Sequence, residues 1–187
     1  MNSIRMVPFI LGTLFFSLAF FPSLCRAAEG HSMPMGHMAH GMAGNYNDRA
    51  FLSGMIVHHE AAVDMAMEAM RAGKDPQVIA WAESIVKDQD REITLMKGWL
   101  EEKGGEDQAA AQMMKDEMKD MMAKPAGKGP DYDFVAMMTP HHAGALTMAA
   151  DALTWSDDQR VVDLAEQIII AQTKEIVQFR KWLAGRN

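Results

Sequence analysis

The sequence predicts an all-α protein, a four-helix bundle built from two αα-hairpins with an extra Met-rich connecting helix. Three observations predict it. Beyond residue 46, apolar residues recur at helical spacing. Gly and Pro gather in a few short clusters that delimit those stretches. A block from Asp48 to Leu100 also returns at a constant offset of 83, from Asp131 to Leu183.

Residues 1–27 read as a secretory signal. Arg5 supplies the positive charge, Val7 to Phe21 is an apolar run, and Cys25-Arg26-Ala27 offers small residues where a peptidase cuts. The run is short for a retained membrane anchor. Bulky Leu24 before Cys25 argues against a lipoprotein. The expected mature chain is periplasmic or secreted and has no membrane span.

Cleavage removes the only cysteine, so soft-metal binding would rest on methionine and histidine. Loss of Arg5 and Arg26 leaves 16 basic against 25 acidic residues, a net charge of −9. An acidic chain without basic clusters argues against nucleic-acid binding and suits cations. Methionine is the outlier: 17 of 19 remain after the signal.

Residues 28–45 form a Met/His-rich tail carrying His31, Met33, Met35, His37, Met38, His40 and Met42. It has no apolar period, and Pro34, Gly36, Gly41 and Gly44 oppose a helix. Packing cannot account for methionines in such a segment. Two readings follow: a disordered leader of biased composition, or a tract of thioether and imidazole ligands for copper.

The bundle is expected over 46–187: repeat 1 at 46–103, the connector at 104–130, repeat 2 at 131–187. The first helix starts at Asn47-Asp48, either of which can cap it, and ends at Gly73. Its stripe is Phe51, Met55, Ala62, Met65, Ala66 and Ala69. Asp75-Pro76 opens the second helix, with proline at the favoured first position. Its stripe is Ala82, Ile85, Val86, Gln89, Ile93, Met96 and Leu100, and Gly104-Gly105 stops it. Glu106 to Lys124 reads as a polar third helix with Met114, Met118, Met121 and Met122 along one side. A Pro/Gly linker leads to a fourth helix near 131–153 and a fifth near 157–184. Each hairpin cannot bury its apolar face alone, so the two pack together.

The chemistry sits in the repeat. His58-His59 with Met55 and Met65 returns as His141-His142 with Met138 and Met148. At ~100° per residue, His58 and His59 fall on opposite flanks of the Met55 stripe. The two imidazoles therefore take different directions. Pro140 removes a backbone hydrogen bond and is expected to bend the fourth helix beside its histidines. Gln89 and Glu92, repeated as Gln172 and Glu175, lie on an apolar stripe and need partners. The histidines of the paired helix are the obvious ones. In the structural reading, these bonds only hold a polar layer. In the functional reading, histidine and methionine bind metal, and the Glu and Gln side chains orient the imidazoles. Met114, Met118, Met121 and Met122 would be accessory ligands. Met with His and no Cys suits Cu(I) or Ag(I) better than zinc, calcium or magnesium. A third option arises if cleavage falls after Ala28 instead: the mature start is then Glu29-Gly30-His31, whose amine, amides and imidazole could make a square-planar Cu(II) site.

No enzyme is expected. No glutamate of the mature chain is followed three residues later by a helical histidine, as di-iron bundles require. His59-Glu60 leads to Val63, where a zinc protease helix needs its second histidine. No nucleophilic triad or phosphate loop is visible.

The combination Asp48, Phe51, Met55, His58-His59, Gln89, Glu92 and Trp99-Leu100, present twice, resembles the secreted ferritin-like His-His repeat family, a domain of unknown function. Within it, the Met/His tail and the central Met cluster resemble the CopM-like periplasmic copper metallochaperone branch. The resemblance implies a ferritin-like bundle that binds copper, chiefly as Cu(I), outside the cytoplasm and protects against its excess. It implies Met55, His58, His59 and Met65 as ligands in one repeat, and Met138, His141, His142 and Met148 in the other. An exporter or acceptor protein would be the partner. Val57 stands where the family usually has proline, which Pro140 keeps.

Overall fold

A computed structural model describes residues 46–123 and 126–186. The signal segment and the Met/His tail lie outside them. Five helices follow in order: α1 Asp48–Ala72, α2 Pro76–Glu102, α3 Gln108–Met122, α4 Pro130–Trp155 and α5 Gln159–Ala184. No strand occurs among the described residues.

The starts follow the local chemistry read from the sequence. The side chains of Asn47, Asp75, Asp107 and Asp158 each accept from an orphan backbone N–H in the first turn. Gly129 precedes α4 at φ 107, a conformation that favours glycine, and makes no side-chain cap. After α2, Gly104 and Gly105 both turn with positive φ. The α4 helix stays helical through Pro140.

The α1 helix packs against α2, α3 and α4, while α4 packs against α5 and α1. Phe134 clusters with Met65, and Met148 reaches Gly54, so α1 and α4 run antiparallel through the centre. The sequence suggests a single apolar stripe on α1. The structure instead buries Phe51 through His59 without a break. The reason is α3, which covers a further face of α1 with Ala111, Met114 and Met118.

Two apolar half-cores result. One contains Leu52, Met55, Met96, Met114, Met148 and Leu164. The other contains Met65, Val78, Ile85, Phe134, Met138 and Phe179. The histidines sit between them along α1 and α4.

A polar latch joins the repeats at one end. Lys103 Nζ lies 3.0 Å from Asp48 and 2.8 Å from Asp158. Ser156 Oγ donates to Asp48 at 2.7 Å. The two carboxylates raise the Lys103 pKa. Replacing Lys103 by Met leaves two carboxylates facing each other. We expect a loss of about 1 kcal/mol, read as a lower urea midpoint with unchanged slope.

Candidate metal centre

His58 and His59 diverge because adjacent helical residues point ~100° apart. His58 faces α4 and His59 faces α2. His141 and His142 repeat this toward α1 and α5. All four imidazoles are buried.

The inner pair is His58 and His141, whose ring centroids are 3.7 Å apart with the planes tilted by 38°. His141 Nε2 donates to the His58 carbonyl at 3.1 Å. A carbonyl only accepts, so this nitrogen carries the proton. Each imidazole is held well below its ordinary pKa. Burial is the main cause, and repulsion from the other imidazoles adds to it. The two rings are therefore neutral at neutral pH, with a lone pair on one nitrogen.

The outer pair is His59 and His142. His59 Nε2 lies 2.8 Å from Glu92 Oε2 in a buried hydrogen bond. His142 Nε2 lies 2.7 Å from Glu175 Oε2, but off the direction of a hydrogen bond, so proximity alone links them. Ionised carboxylates only accept, which assigns the His59 proton to Nε2. Phe179 stacks on His142, with centroids 5.7 Å apart and planes 29° apart.

One feature is common to all four rings. Nδ1 of His58, His59, His141 and His142 is buried without a hydrogen-bond partner in the protein. Where Nε2 carries the proton, Nδ1 presents a bare lone pair. That is the case at His59 and His141, while no hydrogen bond fixes the tautomer of His58 or His142; four unpartnered buried nitrogens in one layer are costly unless something takes them up. Their chemistry fits a cation that accepts neutral nitrogen. Among the described residues, no three His, Cys, Asp or Glu side chains are grouped closely enough to hold a metal ion alone. A bundle site would thus combine imidazole with thioether, as a soft ion prefers.

The glutamates reach the histidines as the sequence suggests. The glutamines do not hydrogen-bond to them. Gln89 and Gln172 are buried with Oε1 unpartnered, and line a crevice of about 300 Å³ between α2 and α5 with Glu92 and Glu175. Removing Glu92 strands His59 Nε2–H. We expect Glu92→Ala to cost about 1–3 kcal/mol in denaturant unfolding. Glu175→Ala should cost less, because Glu175 is more exposed and its contact is off-axis.

The methionines are regrouped by the antiparallel pairing of α1 and α4. Met55 and Met148 share one half-core with Met114 and Met118, and Met65 and Met138 share the other. Met55 and Met65 of one repeat are ten residues apart, roughly 15 Å along the helix. Each half-core therefore brings together methionines of both repeats. Met121 packs against both half-cores, whereas Met122 is exposed. The tail residues His31, Met33, Met35, His37, Met38, His40 and Met42 lie outside the described residues.

Residue-type reasoning missed two glycines and one aromatic. A Cβ at Gly144 would stand 3.3 Å from His58 Nε2, so this glycine gives the His58 ring its room. Gly54 lies under the methyl ends of Met148 and Met114. Gly144 stands where the first repeat has Ala61, and Gly54 where the second has Met137. Those mismatches were the available signal. Phe179, which stacks on His142, carried none.

Solved structures similar to this chain include CopM in three bound forms. The silver-bound form is 29% identical, with a TM-score of 0.63 over 75% of this chain and 96% of that one. The Cu(II)-bound form is 30% identical, with a TM-score of 0.63 over 76% and 99%. The Cu(I)-bound form is 28% identical, with a TM-score of 0.60 over 75% and 97%. A protein from Streptomyces coelicolor, provisionally described as secreted, is 24% identical, with a TM-score of 0.62 over 74% and 93%, and shows the fold alone. A search of curated proteins finds no match. Among the described residues, no helix is long and apolar enough to cross a membrane. The domain of unknown function DUF305 matches residues 27–100 and 48–183, and the chain belongs to that family.

Proposed function

We propose that this protein binds copper outside the cytoplasm, as Cu(I) and also Ag(I), and serves copper tolerance through storage or delivery. The observation that carries this reading is the layer of four buried imidazoles with unpartnered Nδ1 atoms. The inner pair, His58 and His141, is neutral at neutral pH, so binding displaces no proton from it. Methionines on both sides of the layer supply the soft donors: Met55 and Met148 toward one end, Met65 and Met138 toward the other. CopM bound to Cu(I), Cu(II) and silver supports the reading by similarity. Glu92 holds the His59 ring through its hydrogen bond, and Glu175 stands beside the His142 ring.

The tail acts in this reading as a capture arm, the bundle as the tighter store, and an exporter or acceptor protein as the partner. No catalytic step is assigned. Titration of the mature protein with Cu(I) against a competing chelator tests the proposal. Replacing both His-His pairs and the tail should abolish tight binding. Unchanged affinity would refute it.

A second reading is favoured by the His59–Glu92 bond and the His58–His141 contact. It makes the histidines a purely structural polar layer of an interaction module. It predicts that His58→Ala or His141→Ala lowers thermal stability and leaves metal binding intact.

A further inference from the structure

The duplication is broken on one side of the bundle. Positions 54 and 137 are equivalent, as are 65 and 148. At Gly54, the Met148 and Met114 methyls lie 3.5 and 3.9 Å from where a Cβ would stand. There α3 and α4 close down on α1. At Met137, the corresponding place is an open crevice of about 370 Å³. Met65 of α1, Met122 of α3 and Met137 of α4 line it, with the carboxylates Asp64, Glu68 and Asp133.

Neither Met122 nor Met137 is fully buried: Met122 is 37% exposed and Met137 half-buried. Met137 packs in part against the second half-core, but Met122 does not, so core filling does not explain Met122. Three thioethers from three helices supply neutral, polarisable donors. Glu68 is already bonded to Arg71, and Asp133 accepts from the Lys128 N–H. These carboxylates act mainly through their field, which concentrates cations at the mouth. Thioethers then select the soft ion over calcium, magnesium or zinc. Behind the crevice, Met65 shares its half-core with Met138, three residues before His141.

We infer that this crevice is a second soft-ion site, which takes Cu(I) or Ag(I) from solvent on the sulfurs of Met65, Met122 and Met137. The inference rests on reading the chain as a copper protein. It adds where the ion first meets the folded bundle.

Silver(I) is the probe, added to the full mature chain. Methionine-methyl NMR reads each thioether without any substitution. The methyls of Met65, Met122 and Met137 should move together, and their standing still would overturn the site. Met122→Leu with Met137→Leu keeps volume and apolarity. That variant should keep its helical circular dichroism and bind one silver ion fewer by native mass spectrometry. An unchanged silver count in the folded variant would also overturn it. In His58→Leu/His141→Leu protein, the crevice shifts should persist, and their loss would contradict an independent site. Silver that moves the crevice methyls but no bundle imidazole would instead refute the imidazole site proposed above and leave this one standing.

Discussion

Replacing His58 and His141 together by leucine should weaken Cu(I) binding by more than about 100-fold, beyond what loss of an outer-shell partner costs. Competition against a Cu(I) chelator measures it. The same variant should unfold at the same temperature or slightly higher. Both rings are buried, and both lose their unpartnered Nδ1 atoms in the exchange. Removing both members of a buried polar contact for apolar groups of similar size is close to neutral. The structural reading requires the reverse: stability lost, affinity kept. Measuring both on one variant separates the two.

Acid should unfold the metal-free protein. His58 and His141 are held well below their ordinary pKa in the folded state. The unfolded chain binds their protons near pH 6.5, so it takes up more protons than the folded chain below that value. Their contribution to stability is thus present above about pH 6.5 and lost as pH falls toward the folded values. Each ring contributes a slope of up to about 1.4 kcal/mol per pH unit in that window. Thermal melts across pH 4–7 should show the falling limb, and the double leucine variant should flatten it. A bound soft cation favours the neutral ring, so copper-loaded protein should resist acid further.

The parts of the fold that rest on local chemistry were legible in the sequence. Asn47, Asp75 and Asp158 cap helices where the residue pattern placed starts. The 83-residue offset gave two equivalent hairpins, and polar residues on an apolar stripe pointed Glu92 and Glu175 to the histidines of their paired helices, which the structure resolves to His59 and His142. What depends on docking between elements was not legible. Spacing within one repeat groups Met55 with Met65, but the antiparallel crossing of α1 and α4 sends them to opposite half-cores. Nothing local to α3 shows that Met114 will settle over Gly54. The burial of both histidines on α1 likewise follows from three neighbouring helices, not from the α1 pattern.

The central claim is that bundle imidazoles hold the ion through Nδ1. NMR of mature protein carrying isotope-labelled histidine, loaded with silver(I), tests it most directly. One-bond silver–nitrogen coupling marks each nitrogen that binds. The account predicts such coupling at Nδ1 of bundle histidines, including His58 or His141, with Nε2 still protonated. Coupling confined to the tail imidazoles His31, His37 and His40, or absent altogether, would contradict it.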